Sequence, residues 1–162
     1  MNQNNKIDFI VKTAVVAALY AVITYVFAFM SYGPVQFRVS ELLTLLAFKD
    51  RKFIPGLVLG CLLANLLSTV GWIDIFLGTL ATFIAVYLIS KSKSLFVATL
   101  WPSIINGVII GGMLYFVADL PFIASSLWVA LGEFVVVTMV GYPLYKILSK
   151  REDGILNRIA FK

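Results

Sequence analysis

The chain contains no histidine and a single cysteine, Cys61. Those two shortages remove the imidazole base, the usual N and S metal ligands and any intramolecular disulfide. No glycine is followed by lysine anywhere, which excludes a Walker A phosphate loop. Charge is scarce as well: Asp, Glu, Lys and Arg make up 13% of 162 residues, against about 25% in an ordinary soluble domain. Apolar residues take up the difference, 61% of the chain at a mean hydropathy of +0.99. They fall in runs of about 20 residues, the length that crosses about 30 Å of hydrocarbon as a helix. Every backbone polar group in lipid must be satisfied internally, so the fold class expected is an all-α membrane protein. We expect one integral membrane domain over 1–162, with no room for a soluble catalytic module, no cofactor and no metal. Cys61, in a Gly-Cys-Leu-Leu context, reads as a small packing residue.

A net charge of +5 raises the question of a nucleic-acid partner, and the placement of the charges answers it. Apolar periodicity predicts helices over about 8–30, 38–48, 53–69, 73–90, 95–117 and 122–148. The apolar run behind Met1 to Lys12 is too long for a signal-peptide core and lacks a small-x-small cleavage site, so it is expected to stay as the first helix. With both termini in the cytoplasm, the cytoplasmic segments hold Lys6, Lys12, Lys49, Arg51, Lys52, Lys91, Lys93, Lys146, Lys150, Arg151, Arg158 and Lys162. That leaves one basic residue, Arg38, unexplained by the positive-inside bias. The pattern is membrane topology, not a nucleic-acid patch.

Arg38 opens a run too short to span. From Val39 to Phe48, before Lys49-Asp-Arg-Lys52, the chain can cover only about half of a bilayer at about 1.5 Å per residue. Arg38 and Glu41 are therefore expected at membrane depth, with the irregular Tyr32 to Phe37 segment above them, buried in protein or lining a cavity. The same rise places Glu41, Asn106 and Glu133 in one middle layer, with Asn65, Trp72 and Asp74 in the outer third. An ionisable group there costs at least about 2.5 kcal/mol if it faces lipid, so such groups face an interior. Other roles stay open: an Arg38–Glu41 pair at i, i+3, a helix–helix hydrogen bond from Asn106, a helix-terminal acid at Asp74. Glu133 has no basic neighbour close by on its own helix and needs a partner from elsewhere. The acidic excess favours a cationic or donor-rich solute. Carboxylates and amides match the N–H edge of a purine-like base, and Trp72, Trp101, Tyr32, Phe37 and Tyr115 offer stacking faces. Ala14, Ala17, Ala18 and Ala21 give the first helix a small-residue face for close helix packing, within the chain or with a partner.

The stretch Tyr32-Gly-Pro-Val-Gln-Phe-Arg-Val-Ser-Glu41, with Trp72-Ile-Asp74, the alanine-rich first helix and Gly132-Glu133, resembles the QueT family over essentially the whole chain, most specifically from Pro34 to Glu41. These are membrane substrate-binding subunits, S components, of energy-coupling factor (ECF) transporters, taken to import queuosine precursors. The resemblance implies a six-helix S component in a bacterial cell membrane, surrounded by lipid, with the loop after the first helix as a lid. It implies a small-molecule substrate bound from outside, a 7-deazaguanine base such as queuine or its aminomethyl precursor. Its partners would be a transmembrane coupling subunit and two ATPase subunits, which hydrolyse the ATP, so this chain itself is not expected to be an enzyme. Ala14, Ala18 and Ala21 look like the docking surface. The substrate-binding residues expected are Glu41, Asp74, Asn106 and Glu133, with Trp72, Asn65 and Phe37 beside them and Arg38 orienting Glu41 or holding the lid. A second carboxylate would pair with a side-arm ammonium. Two alternatives remain: an S component for another vitamin or nucleobase, and a stand-alone proton-coupled carrier using Glu133.

Overall fold

A computed structural model describes residues 3–31, 37–68, 71–150, 156 and 159–161. All regular structure among them is helical. Helix α1 is Gln3–Val26, followed after a break at Phe27 by the single turn α2, Ala28–Ser31. A 3₁₀ helix, Val39–Leu45, runs into α3, Leu46–Lys49. A 3₁₀ turn, Arg51–Phe53, leads into α4, Ile54–Asn65. The long helices α5, Trp72–Lys91, and α6, Leu95–Ala118, come next. The last rod is composite: α7, Phe122–Glu133, a π-helical segment Phe134–Gly141, and α8, Tyr142–Ser149.

Among the described residues, four stretches are long and apolar enough to cross a membrane: Gln3–Val26, Trp72–Lys91, Leu95–Ala118 and Phe122–Ser149. Their outer faces are as apolar as the core, with Ile10, Phe116 and Ile123 largely exposed, as a lipid-facing surface requires. The helix expected over 53–69 is shorter. It ends at Asn65, where the backbone tightens into i→i+3 bonds from Leu66 to Leu63 and from Leu67 to Ala64. At 12 residues α4 covers about 18 Å and does not span alone. The helix expected over 38–48 is mostly 3₁₀, and the lid expected over Tyr32 to Phe37 lies, apart from Phe37, outside the described residues.

Two packing features position the interior. On α4, Gly56 and Gly60 sit four residues apart against α1. A Cβ at Gly60 would lie 2.6 Å from Tyr20 Cβ and 2.9 Å from the Ala17 carbonyl oxygen. Only glycine allows that approach, and in lipid such contact replaces the hydrophobic drive. The 3₁₀ helix, in turn, packs on the π segment: Leu45, Val136 and Val137 form one buried cluster with Phe37 and Leu42 against it. Pro143, just beyond that segment, has no N–H and its ring crowds the carbonyl four residues back, at Met139, which disfavours a regular α-helical ladder there. Thr138 donates to the Thr99 carbonyl at 3.1 Å and ties the segment to α6.

Candidate functional site

The 3₁₀ geometry decides how the opening pair of charges is presented. Arg38 is extended, at φ −83° and ψ 90°, and its carbonyl accepts from the Glu41 N–H at 2.9 Å. With about three residues per turn, side chains at i and i+3 stack on one face. Arg38, just ahead of the 3₁₀ helix, and Glu41, in its first turn, are both buried, 4% and 0% exposed. Residues on α1 grip this short helix from the other side. Tyr20 Oη donates to Glu41 Oε1 at 2.5 Å, and the hydroxyls of Thr24 and Ser40 lie 2.7 Å apart. Thr44 Oγ1 donates to the Glu41 carbonyl at 2.5 Å.

A second set of partners comes from α4 and α5. Thr82 Oγ1 donates to the same Glu41 Oε1 at 3.4 Å and lies 3.2 Å from Cys61 Sγ. Asn65 Nδ2 donates to Cys61 Sγ at 3.4 Å and to the Asp74 carbonyl at 3.3 Å. Arg38 Nη1 reaches Cys61 Sγ at 3.9 Å. Gly78 makes room for this junction: a Cβ there would lie 2.7 Å from Asn65 Nδ2 and 2.8 Å from Asp74 Oδ1. Arg38 is within electrostatic reach of Tyr20, Cys61, Asp74 and Glu41. Glu133, at the end of α7, feels Glu41 first and Arg38 second.

The structure thus gathers Arg38, Glu41, Asn65, Asp74 and Glu133 into one buried cluster, with Asn106 also buried on α6. Several of its polar atoms have no partner among the described residues: Glu41 Oε2, Asp74 Oδ1, Glu133 Oε2 and Asn65 Oδ1 as acceptors, and Asn106 Nδ2 as a donor. Unsatisfied groups this deep are costly in a low-dielectric interior and ask for a ligand or water.

The aromatic residues proposed as stacking faces are scattered. Trp72 is 76% exposed and lines an apolar groove of about 360 Å³ with Leu62, Phe76 and Phe83 on the outside of α4 and α5. Trp101 does not belong to the cluster: its indole donates to Ser92 at 2.9 Å and its ring packs with the Phe53 and Leu57 core. Tyr115 packs edge-on to Phe116 and Phe122. Phe37 lies near the cluster, half-buried over Leu45 and Val137. Tyr32 is outside the described residues. On α1, Ala14 and Ala18 are exposed, whereas Ala21 is 6% exposed and turned inward.

Sequence reasoning missed Tyr20, Thr24, Cys61, Gly78 and Thr82. Tyr20 and Thr24 carried a signal, being polar groups four apart on the buried face of an apolar helix; Cys61 and Thr82 look like packing residues until the fold brings Glu41 beside them.

A membrane-spanning helical bundle that buries three carboxylates, an arginine and two asparagines among apolar walls has the kind of polar interior found in transport proteins. Comparison with known proteins gives the family. A family model described as "QueT transporter" matches residues 10–150. The "Queuosine precursor transporter QueT" of Lactococcus lactis subsp. cremoris (strain MG1363) is 35% identical over 161 residues, covering 89% of this chain and 94% of that relative. The chain belongs to the QueT transporter family. No solved structure gives a significant match.

Proposed function

We propose that this chain is the substrate-binding S component of an ECF-type importer and that it binds a queuosine precursor, a 7-deazaguanine base, from the outside. The observation that carries this reading is the set of buried acceptors on Glu41, Asn65, Asp74 and Glu133 and the buried donor on Asn106 that have no partner among the described residues. A guanine-like edge is rich in N–H donors and carries one carbonyl, the complement of that set. Glu41 reads the N–H edge, Arg38 orients Glu41 on the shared 3₁₀ face, and Asp74 with Asn65 forms the outer wall. Phe37 covers the base from the end of the lid, residues 32–37, and Trp72 stands at the rim.

In this reading the chain crosses the membrane as six helices with both termini in the cytoplasm. The two short ones, 38–49 and 51–65, pack against the long ones. The exposed strip of α1 through Ala14 and Ala18, flanked by Ala21, meets the coupling subunit, and two ATPase subunits supply the energy. Binding of a 7-deazaguanine to purified protein, compared with Glu41→Gln and Glu133→Gln, tests the site. Loss of affinity in both is expected, and unchanged affinity in both removes it. Uptake by the isolated chain in liposomes under a pH gradient would instead establish a stand-alone carrier working through Glu133.

A further inference from the structure

We infer that Leu156 and Phe161 belong to a cytoplasmic latch on the polar site. Docked, they close the inner end of the bundle beneath the 3₁₀ helix; released, they open a way from the cytoplasm toward Cys61 and Glu41. This rests on the proposed function, which supplies the orientation and the site that the latch closes.

Helix α8 packs on the π segment and α6, yet by Ala160 the chain has returned to the start of α1. Leu156 is 4% exposed and sits in the apolar cluster of Leu46, Phe53 and Leu57. Phe161 packs on Phe53, in the 3₁₀ turn ahead of α4, with ring centroids 4.7 Å apart, and on Phe9 of α1 at 5.7 Å. Lys12 fastens this end of the chain. Its Nζ donates to the Ala160 carbonyl at 3.0 Å, pairs with Asp8 at 2.9 Å and stands 5.0 Å from the centroid of the Phe161 ring. Lys52 Nζ lies 5.6 Å from the same centroid. One ring thus joins α1, the turn into α4 and the end of the chain.

The cluster that receives Leu156 and Phe161 also contains Tyr20 and Cys61. Tyr20 is the short donor to Glu41, and Cys61 faces Thr82 and Asn65. The latch and the polar site are therefore two ends of one apolar cluster. Cys61 is eight residues beyond Phe53, about 12 Å along a helix. Beside the cluster, a cavity of about 100 Å³ separates the 3₁₀ helix from the last rod, lined by Leu42, Leu45, Leu144, Leu148 and Leu156. Its walls forgo part of their van der Waals contact, so the 3₁₀ helix has room to shift once Leu156 withdraws.

The fastening is of a kind that can come and go. Ala160 and Phe161 are half-buried and Lys52 is exposed, where cation–π contacts and ion pairs are individually weak. The site end of the cluster is sealed, with Tyr20 and Cys61 at 0% exposure. Opening therefore starts at the chain end, where local unfolding costs least. A solute bound from outside has to leave toward the cytoplasm, and this is the end it faces.

Cys61 is the chain's single cysteine, so its modification reports the opening without any ligand. The full chain is labelled in membranes with a membrane-impermeant methanethiosulfonate, from the cytoplasmic face in inverted vesicles and from the outer face in intact cells. The modified fraction is read by mass after purification. Phe161→Ala is expected to react at least tenfold faster than wild type from the cytoplasmic face and at an unchanged rate from the outer face. Lys12→Met, which keeps the stem and loses the ammonium, should shift the rate the same way by a smaller factor, and Phe161→Tyr, which keeps the ring, should restore the slow rate. Equal rates in wild type and Phe161→Ala from the cytoplasmic face overturn the inference. So does a rise of the same size from both faces, which is what a general loosening of the bundle would give. If Phe161→Ala does not accumulate in the membrane, Lys12→Met decides by the same two criteria. A rise confined to the outer face overturns the cytoplasmic latch and the proposed orientation together. Because no ligand enters the measurement, a chain that binds no 7-deazaguanine but shows the one-sided rise still supports the latch.

Discussion

Replacing Gly60 by alanine adds one methyl group at the place where α4 touches α1, and the consequence should reach the polar cluster. The new Cβ would stand 2.6 Å from Tyr20 Cβ, 2.9 Å from the Ala17 carbonyl oxygen and 3.1 Å from Ala17 Cα. Carbon atoms pack best at about 3.5–4.0 Å, so about 1 Å is missing. The obstacles are backbone atoms or a Cβ fixed to backbone, so side-chain rotation cannot supply it and the helices must separate. Tyr20 rides on α1, and its hydrogen bond to Glu41 Oε1 is 2.5 Å long. Moving it by about 1 Å takes it beyond good hydrogen-bond geometry. Overpacking costs about 1–3 kcal/mol, and the better helix propensity of alanine returns about 0.5–1 kcal/mol. Losing a hydrogen bond to a charged group costs a further ~1.5–3 kcal/mol. The melting temperature should therefore fall by several degrees or more while ligand affinity falls tenfold or more, measured by thermal unfolding and titration calorimetry on the same sample. Gly112→Ala is the control, because its Cβ would meet only Phe122 Cε2, at 3.8 Å. If Gly60→Ala melts higher than wild type and binds ligand equally well, α1 and α4 have slack and the coupling of their packing to Glu41 is wrong.

Tyr20→Phe removes the shorter donor to Glu41 without changing the ring, and should weaken binding by about 1.5 kcal/mol or more. In a double-mutant cycle with Glu41→Gln the two effects should not add, and full additivity would show that Tyr20 does not act through Glu41. Gly78→Ala should behave differently from Gly60→Ala, because its Cβ meets the side-chain ends of Asn65 and Asp74, which can turn away. Stability should stay within about 1 kcal/mol of wild type while affinity drops, as displaced polar ends cost the ligand its partners; a melting point that falls with affinity intact would contradict that. Ala18→Trp, on the exposed strip of α1, should leave substrate binding unchanged and abolish uptake in cells, and unimpaired uptake would remove that strip as the docking face.

Much of the candidate site was legible before the fold. An ionisable residue inside an apolar run is expensive in lipid, so Arg38, Glu41, Asp74 and Glu133 announced themselves by their surroundings. All four are buried. The aromatic residues did not sort themselves in the same way, because an aromatic side chain is at home in core, interface and lipid alike. Hence Trp101 packs among the Phe53 and Leu57 core and Trp72 faces an outer groove. The hydroxyl and thiol groups of Tyr20, Thr82 and Cys61 were invisible for another reason. Their weight comes from what stands opposite, and their partners are 21 or 41 positions away in the chain.

The sequence by itself determined that this is a helical membrane protein, because backbone hydrogen bonds in hydrocarbon leave a run of about 20 apolar residues no other way to cross. It also determined which side chains could not face lipid, since that cost depends on residue type and not on the fold. The tertiary structure alone decided how those side chains meet. It made the stretch from Val39 to Leu45 a 3₁₀ helix, with Arg38 at its head and Glu41 buried in its first turn, and it ended α4 at Asn65. It also buried Glu133 within electrostatic reach of Glu41 and Arg38. Such choices rest on close approach between distant segments, at Gly60 against Tyr20 and at Leu45 against Val137. Contacts of that kind are properties of a packed bundle, and no local pattern of residues contains them.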